Sequence, residues 1–195
     1  MAKILTYPNK TLRKVSDEIK QIDNTFLSQI EMLKDELSKG ENAAGLAAPQ
    51  IGISKRFFGI KKSDKKVEVY INPKIVKTFG EKVYPIIVKE TPASVSQKRD
   101  SGEAREDFLE GCLSVPEYFG TVKRYLKIEI QWQKLIGNKF VSKKQKLSGF
   151  EAIVWQHEFD HLDGILFIDH VKKEGGKFYK WNGKEMVRAE IKLFS

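Results

Sequence analysis

The chain has 195 residues, a formal net charge of +9 and 41% apolar residues, which excludes intrinsic disorder and fits one domain with a buried core. No apolar run approaches the roughly 20 residues that a membrane span needs, and a single cysteine, unable to form an internal disulfide, suits a reducing cytoplasm. The lysines are spread along the chain, so the charge reads as a solvated lysine-rich surface rather than as sequence-specific nucleic-acid recognition, and it is compatible with weak docking to a ribosome.

In chain order, the first eight residues lack the long apolar stretch of a secretion signal. Phe26, Ile30, Leu33 and Leu37 recur at spacings of three and four, which predicts a helix over 24–39 that stops at Gly40. A loop of small residues follows over 42–52. Short strands are expected at 56–61, 66–71 and 74–78, punctuated by Asn72-Pro73 and Gly80, with another at 83–89. Residues 90–107 are polar and carry Pro92 and Gly102, so they read as a mobile insertion loop. Alternation over 121–132 predicts a half-buried strand, and Gly137-Asn138 a turn into 139–141. A second helix should run from near Ser148 to Gly164, with Phe150, Ile153, Val154, His157 and His161 along one stripe. Beyond Lys172 the chain reads as a basic C-terminal extension, 172–195, on a single domain spanning 1–195.

Chemistry concentrates in two segments: Glu110-Gly111-Cys112-Leu113-Ser114 and Gln156-His157-Glu158-Phe159-Asp160-His161. The second reads H-E-x-x-H, in which two imidazoles four residues apart share a helix face and can grip a metal. Burying both rings without a partner would leave polar atoms unsatisfied. Cys112 is the obvious third ligand, and three protein ligands leave a fourth position open to water, as a catalytic metal requires. Glu158 is then placed to take a proton from that water rather than to bind the metal. Zinc, ferrous iron, cobalt and nickel all accept such donors, so spacing alone does not select the ion. His170 lies beyond Gly164 and is expected behind the ligands or on the surface.

Together with Gly45-Leu46-Ala47-Ala48-Pro49-Gln50-Ile51-Gly52, these segments resemble the three signature motifs of the peptide deformylases, over about residues 6–171. The resemblance implies an α+β fold, with antiparallel sheets around a central helix bearing H-E-x-x-H and the N-terminal helix packed outside. It implies hydrolysis of the N-formyl group from the starting methionine of nascent polypeptides, with Fe2+ the expected ion in the cell and Zn2+, Ni2+ or Co2+ in preparations. It gives Gln50 and the Leu113 backbone N–H the role of oxyanion donors. Gly45, Leu46, Glu110, Ile153 and Val154 would contact substrate, Gly45 by letting its backbone approach and Ile153 and Val154 by lining a methionine pocket. Two other readings stay open at this point: a general zinc peptidase, and a basic ribosome-binding protein with a structural metal.

Overall fold

A computed structural model describes residues 3–40, 43–63, 66–88 and 105–194. The first helix, α1 (Asn24–Lys39), falls where the apolar spacing predicts it. Asp23 caps it, its side chain accepting from the Phe26 N–H at 2.7 Å, and Phe26, Ile30, Leu33 and Leu37 are its buried face. The loop of small residues contains a three-residue strand, β1 (Gly45–Ala47), and a single 3-10 turn at Ala48–Ile51.

Strands β2 (Phe57–Ser63) and β3 (Lys66–Val83) follow. The two strands expected at 66–71 and 74–78 are one. At the junction the ladder slips a register and Asn72 takes a positive φ of 46°, so Pro73 sits in a bulge where no ladder N–H is needed. The Asn72 side chain holds the bulge, donating to the Ile19 carbonyl and to Gln133 Oε1 at 2.8 and 2.7 Å.

The strand expected at 83–89 is shorter, β4 (Ile86–Val88), and pairs with β5 (Arg105–Asp107). The last three residues of the stretch read as an insertion loop are therefore strand, and 90–104 lie outside the described residues. Then come β6 (Glu110–Cys112), β7 (Val115–Gly120), β8 (Arg124–Ile136) and β9 (Lys139–Ser148). β8 starts three residues later than expected because Thr121 leaves the ladder to bond the Lys177 carbonyl.

Helix α2 (Gly149–Leu162) carries both histidines. It is followed by α3 (Phe167–Glu174), then β10 (Phe178–Trp181) and β11 (Met186–Arg188). The basic C-terminal stretch thus enters the fold: β10 pairs with β7, and Phe178 is buried.

All strand pairs within the three sheets are antiparallel. One sheet has the order β1-β2-β3-β8-β9, a second β11-β10-β7-β6, and β4-β5 form a separate ribbon. Neighbouring residues on a strand face opposite sides, and the core follows that rule. Phe58 and Tyr70 pack with Trp155 under α2, whereas Phe57 and Ile71 pack under α1. The five-stranded sheet is therefore held between the two helices, with α2 inside and α1 outside. A third apolar cluster, which includes Val115, Val122, Phe167, Val171 and Phe178, fixes α3 to the second sheet.

Candidate metal centre

Cys112 ends β6 at a tight turn, opposite Val115 of β7. The turn is pinned from two directions. The Ser114 carbonyl accepts from the Tyr7 N–H at 2.8 Å, and the buried Ser114 hydroxyl accepts from Gln50 Nε2 at 3.2 Å. His157 and His161 stand one helical turn apart on α2, with ring centroids 5.1 Å apart and planes at 81°. Cys112 Sγ lies 3.2 Å from His161 Nε2, and one ligand atom from each of the three side chains falls within 4.8 Å of the others.

One thiolate and two imidazole nitrogens at that separation fit a divalent transition metal. Burial opposes charge on the Cys112 sulfur. The imidazoles of His161 and His157 outweigh it and hold the thiol well below its ordinary value. His157 is displaced the other way: burial favours its neutral form, but Cys112 and Glu110 together hold it well above its ordinary value. Sulfur and ring are thus each drawn toward their charged forms, and a cation bound between them would compete with protons for the same atoms.

Glu110 does not reach into the cavity with its charge. Oε2 lies 2.9 Å from His157 Nδ1, and both oxygens accept from Arg124, at 2.7 and 2.9 Å. Glu110 borders the cavity, as a residue expected to contact substrate would, but its side-chain oxygens are taken by His157 and Arg124. The contact leaves His157 Nε2 free to act as the ligand. Arg124, 2% exposed, also donates to Asp160 Oδ2 at 2.6 Å, and His170 Nε2 lies 2.9 Å from the same oxygen. Burial alone would raise both carboxyls. Arg124, with help from His157 or His170, instead holds Glu110 and Asp160 at about 2 each.

Glu158 has the opposite environment. It is buried, its Oε2 has no partner among the described residues, and burial pushes its carboxyl up to about 7 against the pull of the two imidazoles. Gly45 makes the room for it. A Cβ on that residue would sit 2.6 Å from Glu158 Oε1, so the missing side chain accommodates the carboxyl.

These groups border a cavity of about 480 Å³ between β1, β6 and the start of α2. Ile153 and Val154 line it, as expected. Phe150, placed on the same stripe, is 58% exposed at the first turn of α2 and packs edge-on against Phe108, with ring centroids 5.9 Å apart. Leu46 turns its side chain into the core beneath α1, so only its main chain can meet a ligand. Gln50 is buried, anchored through Oε1 to the Ala47 N–H at 2.7 Å, with Nε2 3.5 Å from Cys112 Sγ. Leu113 is 38% exposed at the cavity wall.

Arg124 and Asp160 escaped the sequence reading. Their signal was faint but present: on β8, Arg124 shares its parity with the inward-facing Ile128 and Ile130, which places a charge where an apolar residue is expected.

Comparison with known proteins follows this geometry. The family model described as "Polypeptide deformylase" matches residues 1–177. A peptide deformylase of Desulforudis audaxviator is 35% identical over 169 residues, covering 85% of this chain and 90% of the relative. One from Helicobacter pylori is 30% identical over 195 residues, covering 95% of this chain and 94% of the relative. Among solved structures, the peptide deformylase of Thermotoga maritima superposes with a TM-score of 0.68 at 30% identity, covering 87% of this chain and 97% of that one.

Proposed function

Because the chain belongs to the polypeptide deformylase family, we propose that Cys112, His157 and His161 form the metal centre with which it removes the N-formyl group from new polypeptides. The products are formate and a free methionine terminus. The observation that carries the residue assignment is Glu158: a buried carboxyl with an oxygen partnerless among the described residues, raised to about 7, on the same helix turn as two imidazoles and beside the Cys112 sulfur. A group poised near neutrality can both take and return a proton.

Held by Cys112, His157 and His161, a divalent metal would supply Lewis acidity toward a water molecule and the formyl carbonyl. The chain's own residues do the rest. β1 pairs with β2 on one side only, so its outer edge offers backbone groups along which a peptide can add as a strand. Recognition through the main chain suits an enzyme that accepts many downstream sequences. The methionine side chain enters the apolar cavity against Ile153 and Val154. Glu158 takes the water's proton and delivers it to the departing amide nitrogen. Gln50 Nε2 and the Leu113 N–H donate to the oxygen that gains charge, and each such donor typically contributes about 3 kcal/mol to the transition state.

Fe2+ is the ion proposed in the cell, with Zn2+, Ni2+ or Co2+ taking its place in preparations; the mixed sulfur and nitrogen donors accept all four. A single free thiol that serves as a ligand supports a reducing, cytoplasmic setting. The charge of +9 supports weak docking to a ribosome.

Metal removal tests the reading. The chelator-stripped chain should release no formate from an N-formylmethionyl tripeptide, and one equivalent of Fe2+ added anaerobically should restore activity. Undiminished activity in the stripped chain would refute it. Gly45→Ala offers a second test. Its Cβ would meet Oε1, Cγ and Cδ of the Glu158 side chain and no backbone atom nearer than these, so the fold should survive while that side chain shifts. The catalytic carboxyl should move by up to an ångström, and kcat should fall by about 10²-fold with KM less affected. Retained kcat would show that Glu158 does not act from this position.

A further inference from the structure

The contacts behind His157 continue past Glu110 to the surface of the protein. We propose that His170, on α3 and outside the cavity, is a positioning residue that tunes how tightly the site holds its metal; the inference rests on the ligand assignment above. The route runs through three side chains. His170 Nε2 donates to Asp160 Oδ2 at 2.9 Å, and the same oxygen accepts from Arg124 Nη1 at 2.6 Å. The remaining arms of Arg124 fix both oxygens of Glu110, whose Oε2 accepts from His157 Nδ1 at 2.9 Å.

Each link has a geometric consequence. His157 can present Nε2 to a cation only if Nδ1 carries the proton and the ring is held at one rotation, and Glu110 sets both. Glu110 is held in turn by a planar guanidinium whose own orientation depends on what its outer arm meets. That outer partner, Asp160, is more open to solvent than Glu110, at 17% side-chain exposure against 3%. Asp160 also immediately precedes the ligand His161, so its placement bears on both imidazoles.

Helix α3 holds the segment a second time. Glu174, one turn beyond His170, accepts from the Lys123 N–H at 3.1 Å, fixing the backbone next to Arg124, and lies 3.6 Å from His170 Nδ1. The same helix reaches His157 directly, since the Phe167 ring lies over it with centroids 6.4 Å apart and planes at 24°. α3 thus braces the ligand from two sides, and His170 is the hydrogen-bonding half of that brace.

The test is Co2+ affinity, measured by competition with a chromophoric chelator on the full chain. His170→Phe keeps an aromatic ring and removes the donor, and it should weaken Co2+ binding by about 10- to 100-fold while leaving KM for a formylated peptide unchanged. His170→Gln restores an N–H donor and should recover most of that loss. Wild-type Co2+ affinity in His170→Phe would overturn the proposal even if Tm fell, because packing alone would then explain the residue. Should His170→Phe fail to fold, Glu174→Met decides, because it removes the acceptor for the Lys123 N–H and the partner of His170 Nδ1: weaker Co2+ binding supports the brace, and unchanged binding overturns it. A His157→Ala chain that bound Co2+ as tightly as wild type would refute the ligand assignment itself, a failure distinguishable from failure of the His170 variants alone.

Discussion

Replacing Glu158 with glutamine should lower formate release by about 10²- to 10⁴-fold, while the chain still holds one metal. Glutamine has nearly the same shape and cannot accept the water's proton. The carboxyl it replaces is raised to about 7 because it is buried with one oxygen unpartnered, which is costly to the fold and useful to the chemistry. The variant should therefore melt no lower than wild type, and a neutral amide in that position can raise Tm. Metal analysis, a formate assay and a melting curve on the same preparation check all three. Activity near wild type would remove Glu158 from the proton transfer. Lost metal would mean that it acts as a ligand instead.

The second large effect is on stability. Arg124→Met leaves Glu110 and Asp160 buried without their shared cation and should cost about 3–5 kcal/mol near neutral pH. The pH dependence follows from the sign of the shifts. Both carboxyls sit at about 2 in the fold against ordinary values of 4.5 and 3.8. Their contribution is present above the ordinary values and is lost as pH falls through about 2. In the variant, protonation relieves the unpaired charges, so acid helps it where acid harms wild type. The gap in urea-unfolding free energy should thus narrow steadily from pH 5 to pH 2. A gap that stays constant over that range would mean that Arg124 acts through packing and not through charge.

The parts of the fold legible in the sequence were those with long, regular spacing. α1 carries four apolar residues on a single face and an aspartate at its start, and α2 carries its histidines on the same periodicity as its core residues. Shorter elements gave no such signal. β1 has three residues, too few for an alternation to show, and α3 has eight, starting shortly after the turn at Gly164. β9 extends to Ser148 through a run of lysines, because an edge strand with one exposed face needs few apolar residues. Pairing partners distant in sequence stayed hidden: β10 joins β7 through residues nearly sixty positions apart, which only the assembled third cluster brings together.

The same division runs through the site. The convergence of Cys112, His157 and His161 beside Glu158 was readable because the histidine spacing is set by one helix turn and because sulfur and imidazole are scarce in the chain. The role of Glu110 was not, because it depends on Arg124, 14 residues away on a different sheet. Gly45 was noticed, but its contact with Glu158 was not legible, since nothing in a linear sequence says that a glycine on β1 faces a glutamate on α2.

X-ray absorption at the zinc edge of the zinc-loaded chain tests the central claim most directly. The account predicts one sulfur at about 2.3 Å, two imidazole nitrogens at about 2.0–2.1 Å and one further light atom from solvent. Cys112→Ser should remove the sulfur contribution. A spectrum without sulfur, or one with four ligands all from protein side chains, would contradict it.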